Sequence, residues 1–238
     1  MRIDVVTAFP GMILSAIDAS MLKKARERNT VEIIVHDLRD YTHDKHKTVD
    51  DSPYGGGAGM VLKPEPVFEC VEKLCSERHY DEVILMAADG DTLNQAYANE
   101  LSLKTNLILI CGHYKGVDER IRESLVTKEI SIGDYVLTGG EIPALVVIDA
   151  VTRLLPGSLG DSESALNDSF QTGLLDSPQY TRPADFRGMK VPDVLLSGDH
   201  QEVRKWREEK SVARTARRRP DLIDKNFSNY EKSENEHE

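Results

Sequence analysis

The fold class is decided by residues 106–120, NLILICGHYKGVDER, where a run of apolar residues passes directly into a glycine-containing loop. Continuous apolar runs of this kind are typical of strands buried on both faces of a parallel sheet. Three similar runs occur earlier in the chain, namely RIDVVTAF, VEIIVHDL and DEVILMAAD. They alternate with helical segments, and this alternation predicts an α/β fold with a mainly parallel sheet.

Three segments between or after these runs predict helices. They are residues 12–28, 64–78 and 141–155, the second of which has Pro64 near its start. The polar stretch from Arg39 to Gly59 predicts a long loop, and loops of about twenty residues are usually functional or disordered. EISIGDYVL, residues 129–137, predicts a short β-like run.

The strand–helix pattern ends near Leu159, and the polar, glycine-flanked residues that follow have the composition of a linker. We therefore expect an α/β domain over 1–157, a flexible linker over 158–170 and a small helical domain over 171–238. The helical domain contains the only tryptophan, Trp206. The last seven residues, KSENEHE, predict a disordered acidic tail.

Composition limits the class of protein and its compartment. No run reaches the 18 apolar residues of a membrane span, and the amino terminus is too polar for a signal peptide. Three cysteines without CxxC spacing argue against a disulfide framework, so we expect a cytoplasmic protein without a membrane partner. The net charge of −11 argues against a nucleic-acid partner, although residues 203–219 hold eight basic and two acidic side chains.

Three glycine-bearing loops are candidate ligand sites. They are DDSPYGGGAGM (50–60), CGHYKGVDER (111–120) and IGDYVLTGGEIPA (132–144). Ligands of open α/β sheets bind outside the carboxyl ends of strands, where loop backbone is available. No loop matches a Walker A or GxGxxG pattern, so a nucleotide hydrolase is disfavoured. We assign no metal site, because HDKH (43–46) lacks the third and fourth ligands of a zinc frame.

Three further residues have both an ordinary and a functional interpretation. Asp168 precedes a serine and could simply cap a helix or form an Asx-turn. Arg153 lies at the end of the predicted helix 141–155, where it would complement the helix dipole. Tyr54, in the first glycine loop, could offer a stacking face or pack in the core.

Seven segments in order resemble the bacterial tRNA (guanine-N1)-methyltransferases, the TrmD family of the SPOUT class. They are DDSPYGGGAGM, ICGHYKGVDERI, SIGDYVLTGGEIPA, RLLPGSLG, NDSF, GLLDSPQYTRP and VPDVLLSGDH. The resemblance implies methyl transfer from S-adenosyl-L-methionine to N1 of guanine 37 in tRNA. It also implies a deep trefoil knot in the α/β domain, a helical tRNA-binding domain, and a homodimer whose active sites are shared between subunits. It leaves a role for Mg²⁺ open.

Matched by position, the resemblance implies specific site residues. Asp168 corresponds to the general base and Arg153 to an arginine beside the base carbonyl. The positions implied to border the target nucleotide are Asp50, Gly55, Gly59 and Asp176. The positions implied to bind the methyl donor are Gly112, Tyr114, Ile132, Gly133, Tyr135, Leu137, Gly139, Gly140 and Pro143.

Three positions depart from the family pattern: Lys115 replaces a glutamate, Ser52 replaces an arginine, and Ala88 replaces a proline. They bear on affinity more than on reaction type. Two alternatives therefore stay open beside the enzyme: a non-catalytic RNA-binding module, and a methyltransferase that acts on another RNA. The residues expected to form a local basic tRNA surface are His43, Lys45, His46, Lys47, Arg204, Lys205, Arg207 and Arg214.

Overall fold

The computed structural model describes residues 1–158 and 168–223. The chain divides into two compact units, Met1–Ser162 and Glu163–Glu238. Most of the expected linker, and the whole expected acidic tail, lie outside the described residues, so both stay predictions.

The first unit contains a five-stranded parallel sheet and a short antiparallel hairpin. Its strands are β1 (Arg2–Thr7), β2 (Glu32–Asp37), β3 (Asp50–Asp51), β4 (Val61–Leu62), β5 (Glu82–Thr92), β6 (Asn106–Cys111) and β7 (Lys128–Ser131). The sheet order is β2-β1-β6-β5-β7, and every neighbouring pair is parallel. β3 and β4 form the hairpin that carries the first glycine loop. The α/β class and the parallel sheet are thereby confirmed.

Helices cover both faces of this sheet, which explains why its strands are continuously apolar. The helices are α1 (Pro10–Ile17), α2 (Ser20–Glu27), α3 (Pro64–Glu77), α4 (Gln95–Ser102), α5 (Glu119–Leu125) and α6 (Glu141–Thr152), with a 3-10 helix at Leu38–Tyr41. In β6, Leu107 and Leu109 pack with α1, α2, α4 and α6. Ile108 and Ile110 point the other way and pack with α3 and α5.

The single helix expected over residues 12–28 is wrong, because the structure breaks it into α1 and α2. The break lies at Ala19, which is extended, and Ser20, which has a φ of 51°. It lets each short helix turn its own apolar residues toward the core, Ile13 and Ile17 from α1 and Leu22 and Ala25 from α2.

β5 is longer than the apolar run DEVILMAAD indicates and is irregular in its middle. Ile130 of β7 pairs with both Met86 and Asp91, so residues 87–90 form an excursion out of the ladder. Gly90 allows this excursion, since a Cβ there would lie 2.6 Å from the carbonyl carbon of Glu129. The excursion carries Ala88 to the carboxyl end of the sheet.

The second unit contains a long helix and also a hairpin that the sequence analysis did not predict. Its elements are β8 (Asp185–Phe186), β9 (Met189–Lys190), a 3-10 helix (Asp193–Leu196) and α7 (His200–Arg218). The hairpin turn is Arg187-Gly188, and both residues have positive φ, as a two-residue type I′ turn requires. Within the described residues, no helix has both the length and the apolarity needed to span a bilayer.

Candidate active site

The excursion at 87–90 within β5 and the loops that follow β6 and β7 enclose a cleft of about 320 Å³ at one edge of the sheet. All nine residues predicted to bind the methyl donor line it. They are Gly112, Tyr114, Ile132, Gly133, Tyr135, Leu137, Gly139, Gly140 and Pro143. The structure therefore brings this whole set together, although their ligand stays a prediction.

The two main loops of the cleft are bonded to each other through their backbones. The amide of Gly140 donates to the carbonyl of Gly112 at 2.7 Å, and His113 forms an isolated antiparallel bridge with Gly139. A Cβ on Gly140 would lie 2.8 Å from the Cα of Cys111. Glycine is therefore required at position 140, because the two loop backbones approach closely there.

The cleft has the features that an adenosine group needs. Ala87, Ile132, Leu137 and Pro143 supply apolar lining for a flat base. The glycines leave backbone N–H and C=O groups available to the edge of a base. The loop is also fixed internally, since the Tyr135 hydroxyl donates to the carbonyl of Ile132 at 3.1 Å. The residues present thus fit S-adenosyl-methionine.

A buried polar chain behind the cleft was missed by the sequence analysis. The Thr7 hydroxyl donates to Glu141 Oε1 at 2.7 Å, and both residues are fully buried. Glu141 Oε2 lies 3.4 Å from His113 Nδ1, so the chain connects β1 to the cleft loop through the first residue of α6. No signal distinguished Glu141, because an acidic residue in the first turn of a helix is commonplace.

The first glycine loop is joined to the cleft but does not line it. The amide of Lys115 donates to the carbonyl of Met60, and that of Leu62 to the carbonyl of Gly116, both at 3.0 Å. The predicted nucleotide-binding residues Asp50, Gly55 and Gly59 lie on this hairpin and its loop. The pKa of the Tyr114 hydroxyl is raised by burial and by the nearby carboxylate of Asp50, which places Asp50 beside the cleft.

Exposure decides the position of Tyr54, and the structure locates the three departures from the family pattern. Tyr54 is fully exposed, so packing in the core is wrong for this side chain. Lys115 and Ala88, two of the three departures, both line the cleft. The third, Ser52, lies on the outer loop with its hydroxyl 4.0 Å from the sulfur of Met60.

Arg153 follows the last residue of α6 and lies in a different depression from the donor cleft. This depression is shallow and mostly apolar, and Ile142, Leu145 and Val146 contribute to it. The amide of Arg153 donates to the carbonyl of Asp149 at 3.1 Å, which continues the helical hydrogen bonding. Arg153 therefore stands beside an apolar helix face.

Asp168 and Asp176 both belong to the second unit, in a segment fastened to α7. The Ser211 hydroxyl donates to the carbonyl of Leu175 at 2.5 Å, and the Leu175 amide donates to the Thr215 hydroxyl at 2.9 Å. The carboxylate of Asp176 accepts from the Ser177 amide and from the Gln179 side chain. The carbonyl of Asp168 accepts from the Gln171 amide at 3.2 Å, as in a turn.

The expected basic surface is partly engaged in local contacts. Arg214 donates to the carbonyl of Asp176 at 3.0 Å, which gives it a structural role in the fastened segment. His43 pairs with Glu69, and Lys47 with Asp40. Arg204, Lys205 and Arg207 are exposed on α7. Across residues 1–158 and 168–223, no three His, Cys, Asp or Glu side chains are grouped as a metal ion would need.

Comparison with known proteins supports the same family as the motifs. The family model described as tRNA (Guanine-1)-methyltransferase TrmD matches residues 1–225. A Chlorobium chlorochromatii protein named tRNA (guanine-N(1)-)-methyltransferase is 58% identical over 225 residues, covering 94% of this chain and 97% of that protein.

Two other relatives of the same name are equally similar. The Dictyoglomus turgidum protein is 59% identical over 225 residues, covering 94% of this chain and 91% of its own length. The Geobacillus kaustophilus protein is 58% identical over 224 residues, with coverages of 94% and 92%. A match over nearly the whole length of both proteins leaves one conclusion: this chain belongs to the tRNA (guanine-1)-methyltransferase TrmD family.

Proposed function

We propose that the protein transfers a methyl group from S-adenosyl-L-methionine to N1 of the guanine at position 37 of tRNA, just 3′ of the anticodon. The observation that carries the proposal is the convergence of all nine predicted donor-binding residues on one cleft. The names of the relatives support the same reaction on the guanine base of a tRNA. A tRNA substrate makes the cytoplasm the expected compartment.

The donor is held by the loops after β6 and β7, with its adenosine against the apolar lining and the glycine backbone. When bound, it supplies an electrophilic methyl group. In the proposal, these loops belong to a deep trefoil knot that keeps the donor bent. The backbone bond from Gly140 to Gly112 supports this arrangement, because it joins the loop after β7 to the loop after β6.

Asp168 acts as the general base. N1 of guanine carries a proton at neutral pH, so its lone pair becomes available only when that proton is removed. A positioned carboxylate removes it as the N1–methyl bond forms, and such catalysis typically contributes about 10²–10⁴-fold. Asp176 supports the site from the same fastened segment, where its own carboxylate is already held by Ser177 and Gln179.

Arg153 stabilises the negative charge that develops on the guanine carbonyl oxygen. A guanidinium suits this task, because it is always charged and its planar N–H groups match a planar acceptor. Arg153 does not line the donor cleft of its own subunit. Its place beside an apolar helix face supports a homodimer in which this arginine serves the partner's site.

The experiment that tests the proposal is the transfer of labelled methyl from S-adenosyl-methionine to a tRNA transcript with guanine at position 37. The matched substrate carries adenine at that position. The variant Asp168→Asn keeps the size of the side chain but cannot take the proton, so we expect a rate loss of about 10²-fold or more with unchanged donor affinity.

Donor affinity is measured separately by calorimetry, so binding and chemistry are distinguished. We expect label in the guanine transcript and none in the adenine transcript. Nuclease digestion of the labelled tRNA should yield N1-methylguanine. Donor binding without transfer to either transcript would indicate a non-catalytic RNA-binding module. Label in a ribose would indicate a methyltransferase of another specificity.

A further inference from the structure

We propose that Lys115 binds a backbone phosphate of the RNA substrate at the mouth of the donor cleft, using the first glycine loop as its platform. The inference rests on the proposed function, because it assigns a contact to the substrate of that site. The inference adds Lys115 to the residues proposed to contact the RNA, and its side chain lies on the loop proposed to receive the target nucleotide.

The stem of Lys115 lies directly on the backbone of the glycine loop. A Cβ placed on Gly59 would stand 3.0 Å from Cγ of Lys115 and 3.2 Å from both Cδ and Cε. Gly59 also has a φ of +95°, which side chains rarely adopt. The lysine stem therefore covers the bare backbone at residue 59, and a side chain there would have to displace it by a few tenths of an ångström.

The ammonium group of Lys115 extends further along the same loop. Its Nζ lies 3.7 Å from the point where a Cβ on Gly57 would stand. Within the described ranges, no carboxylate pairs with it, whereas Lys47 and Lys128 each pair with one. Lys115 thus keeps a full charge free for a ligand, in a protein whose net charge is −11.

The backbone around Lys115 fixes the direction of its side chain. Its amide donates to the carbonyl of Met60 at 3.0 Å, and the amide of Gly116 donates to the carbonyl of His113 at 3.0 Å. The preceding residue, Tyr114, has a φ of 63°, an uncommon conformation for a non-glycine residue that shapes this tight loop. The backbone of Lys115 is therefore fixed against the glycine loop, and its stem lies along that loop.

A phosphate is the ligand that this position favours over the carboxylate of the methyl donor. The stem crosses Gly59 and the ammonium reaches Gly57, and neither glycine lines the donor cleft. Gly55 and Gly56 have open space where a side chain would stand, so an RNA strand can approach that side of the loop. A lysine acts as a compact point charge, which suits a phosphate without fixed orientation.

The test measures tRNA binding between 50 and 200 mM salt for the wild type, Lys115→Gln and Lys115→Arg. Loss of one phosphate contact makes the slope of log affinity against log salt shallower by about 0.7–0.9. We expect this change in Lys115→Gln and not in Lys115→Arg. Lys23→Gln is the matched control, because Lys23 is exposed on α2 and does not line the cleft.

Donor affinity, measured without RNA, separates the two possible anions. It stays unchanged in Lys115→Gln if the lysine binds phosphate. A weaker donor affinity with an unchanged salt slope would overturn the proposal and assign Lys115 to the donor carboxylate, and no change in either quantity would also overturn it. The wild type could also show a steeper salt slope than Lys115→Gln and yet form no N1-methylguanine. That result would refute the proposed function but would still support the phosphate contact.

Discussion

Among single residues, the glycines of the cleft differ sharply in what a side chain would meet. A Cβ on Gly140 would collide with the backbone of Cys111 at 2.8 Å and with the amide of Gly112 at 3.0 Å. Gly11, in α1, has nothing within 4 Å of the same point and no positive φ. Gly140 is therefore needed because two backbones approach closely there, whereas a side chain at Gly11 would meet nothing.

We predict that Gly140→Ala reduces donor affinity at least about tenfold. The loops after β6 and β7 must move apart to make room for the alanine side chain, and local overpacking of this kind costs roughly 1–3 kcal/mol. Calorimetric titration with S-adenosyl-methionine measures the loss. Gly11→Ala is the control, with unchanged donor affinity and a helix more stable by up to about 1 kcal/mol. Normal donor affinity in Gly140→Ala would show that these loops are not the donor site.

Some site residues could be predicted individually and others could not, for a physical reason. Gly112, Gly139 and Gly140 follow apolar strands, and the carboxyl ends of parallel strands meet at one edge of a sheet. Glu141 and Thr7 are far apart in sequence and ordinary in type, so only packing reveals their hydrogen bond. The orientation of Lys115 was likewise invisible, since it depends on a loop more than fifty residues away.

At the scale of elements, a buried carboxylate ties the first strands of the sheet together. Asp4 of β1 is fully buried and accepts from His36 of β2, from Arg2 and from Tyr80, at 2.7–2.9 Å. Burial alone would raise the pKa of Asp4, but the hydrogen bonds from these three side chains outweigh it and lower the pKa to about 2. The usual value for an aspartate is about 3.9.

We predict that Asp4→Asn destabilises the fold strongly at neutral pH and little in acid. The native pKa is depressed, so the ionised carboxylate stabilises the fold above about pH 4, and this stability is lost as the pH falls toward 2. The shift corresponds to roughly 2 kcal/mol. Urea unfolding at pH 7, 4 and 2.5 measures it.

The matched control is Asp18→Asn, which removes an exposed carboxylate paired with Arg26. Surface pairs contribute about 0–1 kcal/mol, so this variant should unfold like the wild type at every pH. A free-energy difference between Asp4→Asn and the wild type that stays constant from pH 7 to 2.5 would contradict the proposed linkage.

Strands and helices could be predicted from the sequence where burial sets the pattern of apolar residues. The prediction failed where the local backbone conformation sets the boundaries of an element. β1, β2, β5 and β6 follow from continuous apolar runs, because both faces of the sheet are covered. The division into α1 and α2 depends on the backbone at Ala19 and Ser20, which carry no breaker signal. The β8–β9 hairpin could have been found from Arg187-Gly188, but its two-residue strands are too short to show alternation.

We predict that Thr215→Val loosens the segment that contains Asp168 and Asp176. Valine keeps the shape of threonine, but the partly buried Leu175 amide loses its acceptor, and the cost is at the lower end of the about 1–3 kcal/mol found for a buried donor. The expected result is a slower methyl-transfer rate with unchanged donor affinity, since the donor cleft lies wholly in the first unit. Single-turnover kinetics and faster amide exchange over 168–177 would show it.

The exposed residue Val212, on the same helix, provides the comparison for Thr215. Val212→Thr makes the reverse change in type without removing a bond. It should leave rate and exchange as in the wild type. Equal rates for Thr215→Val and the wild type would mean that the fastened segment does not position the general base.

At the scale of the whole molecule, charge and apolar surface are both unevenly distributed. The chain is acidic overall, yet α7 presents exposed Arg204, Lys205 and Arg207, so the proposed tRNA contacts are local. Two helices of the first unit that pack against each other, α1 and α6, each expose two large apolar side chains. They are Met12, Leu14, Ile142 and Val146.

This apolar face of α1 and α6 is the surface that we expect to form the homodimer. Large exposed apolar patches commonly mark protein–protein contacts, and a two-fold interface uses the same patch on both subunits. We predict that Val146→Glu converts the dimer to a monomer, measured by size-exclusion chromatography with light scattering. Leu103→Glu is the control, since Leu103 is 86% exposed at the end of α4 and does not line the depression that contains Val146.

The proposed sharing of active sites between the two subunits can be tested by mixing variants. Arg153 lines the apolar depression, whereas Gly140 lines the donor cleft, so in the proposed dimer we expect each site to combine Arg153 of one subunit with Gly140 of the other. At a donor concentration well below the Kd of Gly140→Ala, that variant and Arg153→Ala should each be slow alone, but subunits mixed by unfolding and refolding together should regain about a quarter of the wild-type rate, because half of the dimers then hold one intact site. Mixing that restores no activity, with heterodimers shown to form, would place both residues in the site of a single subunit.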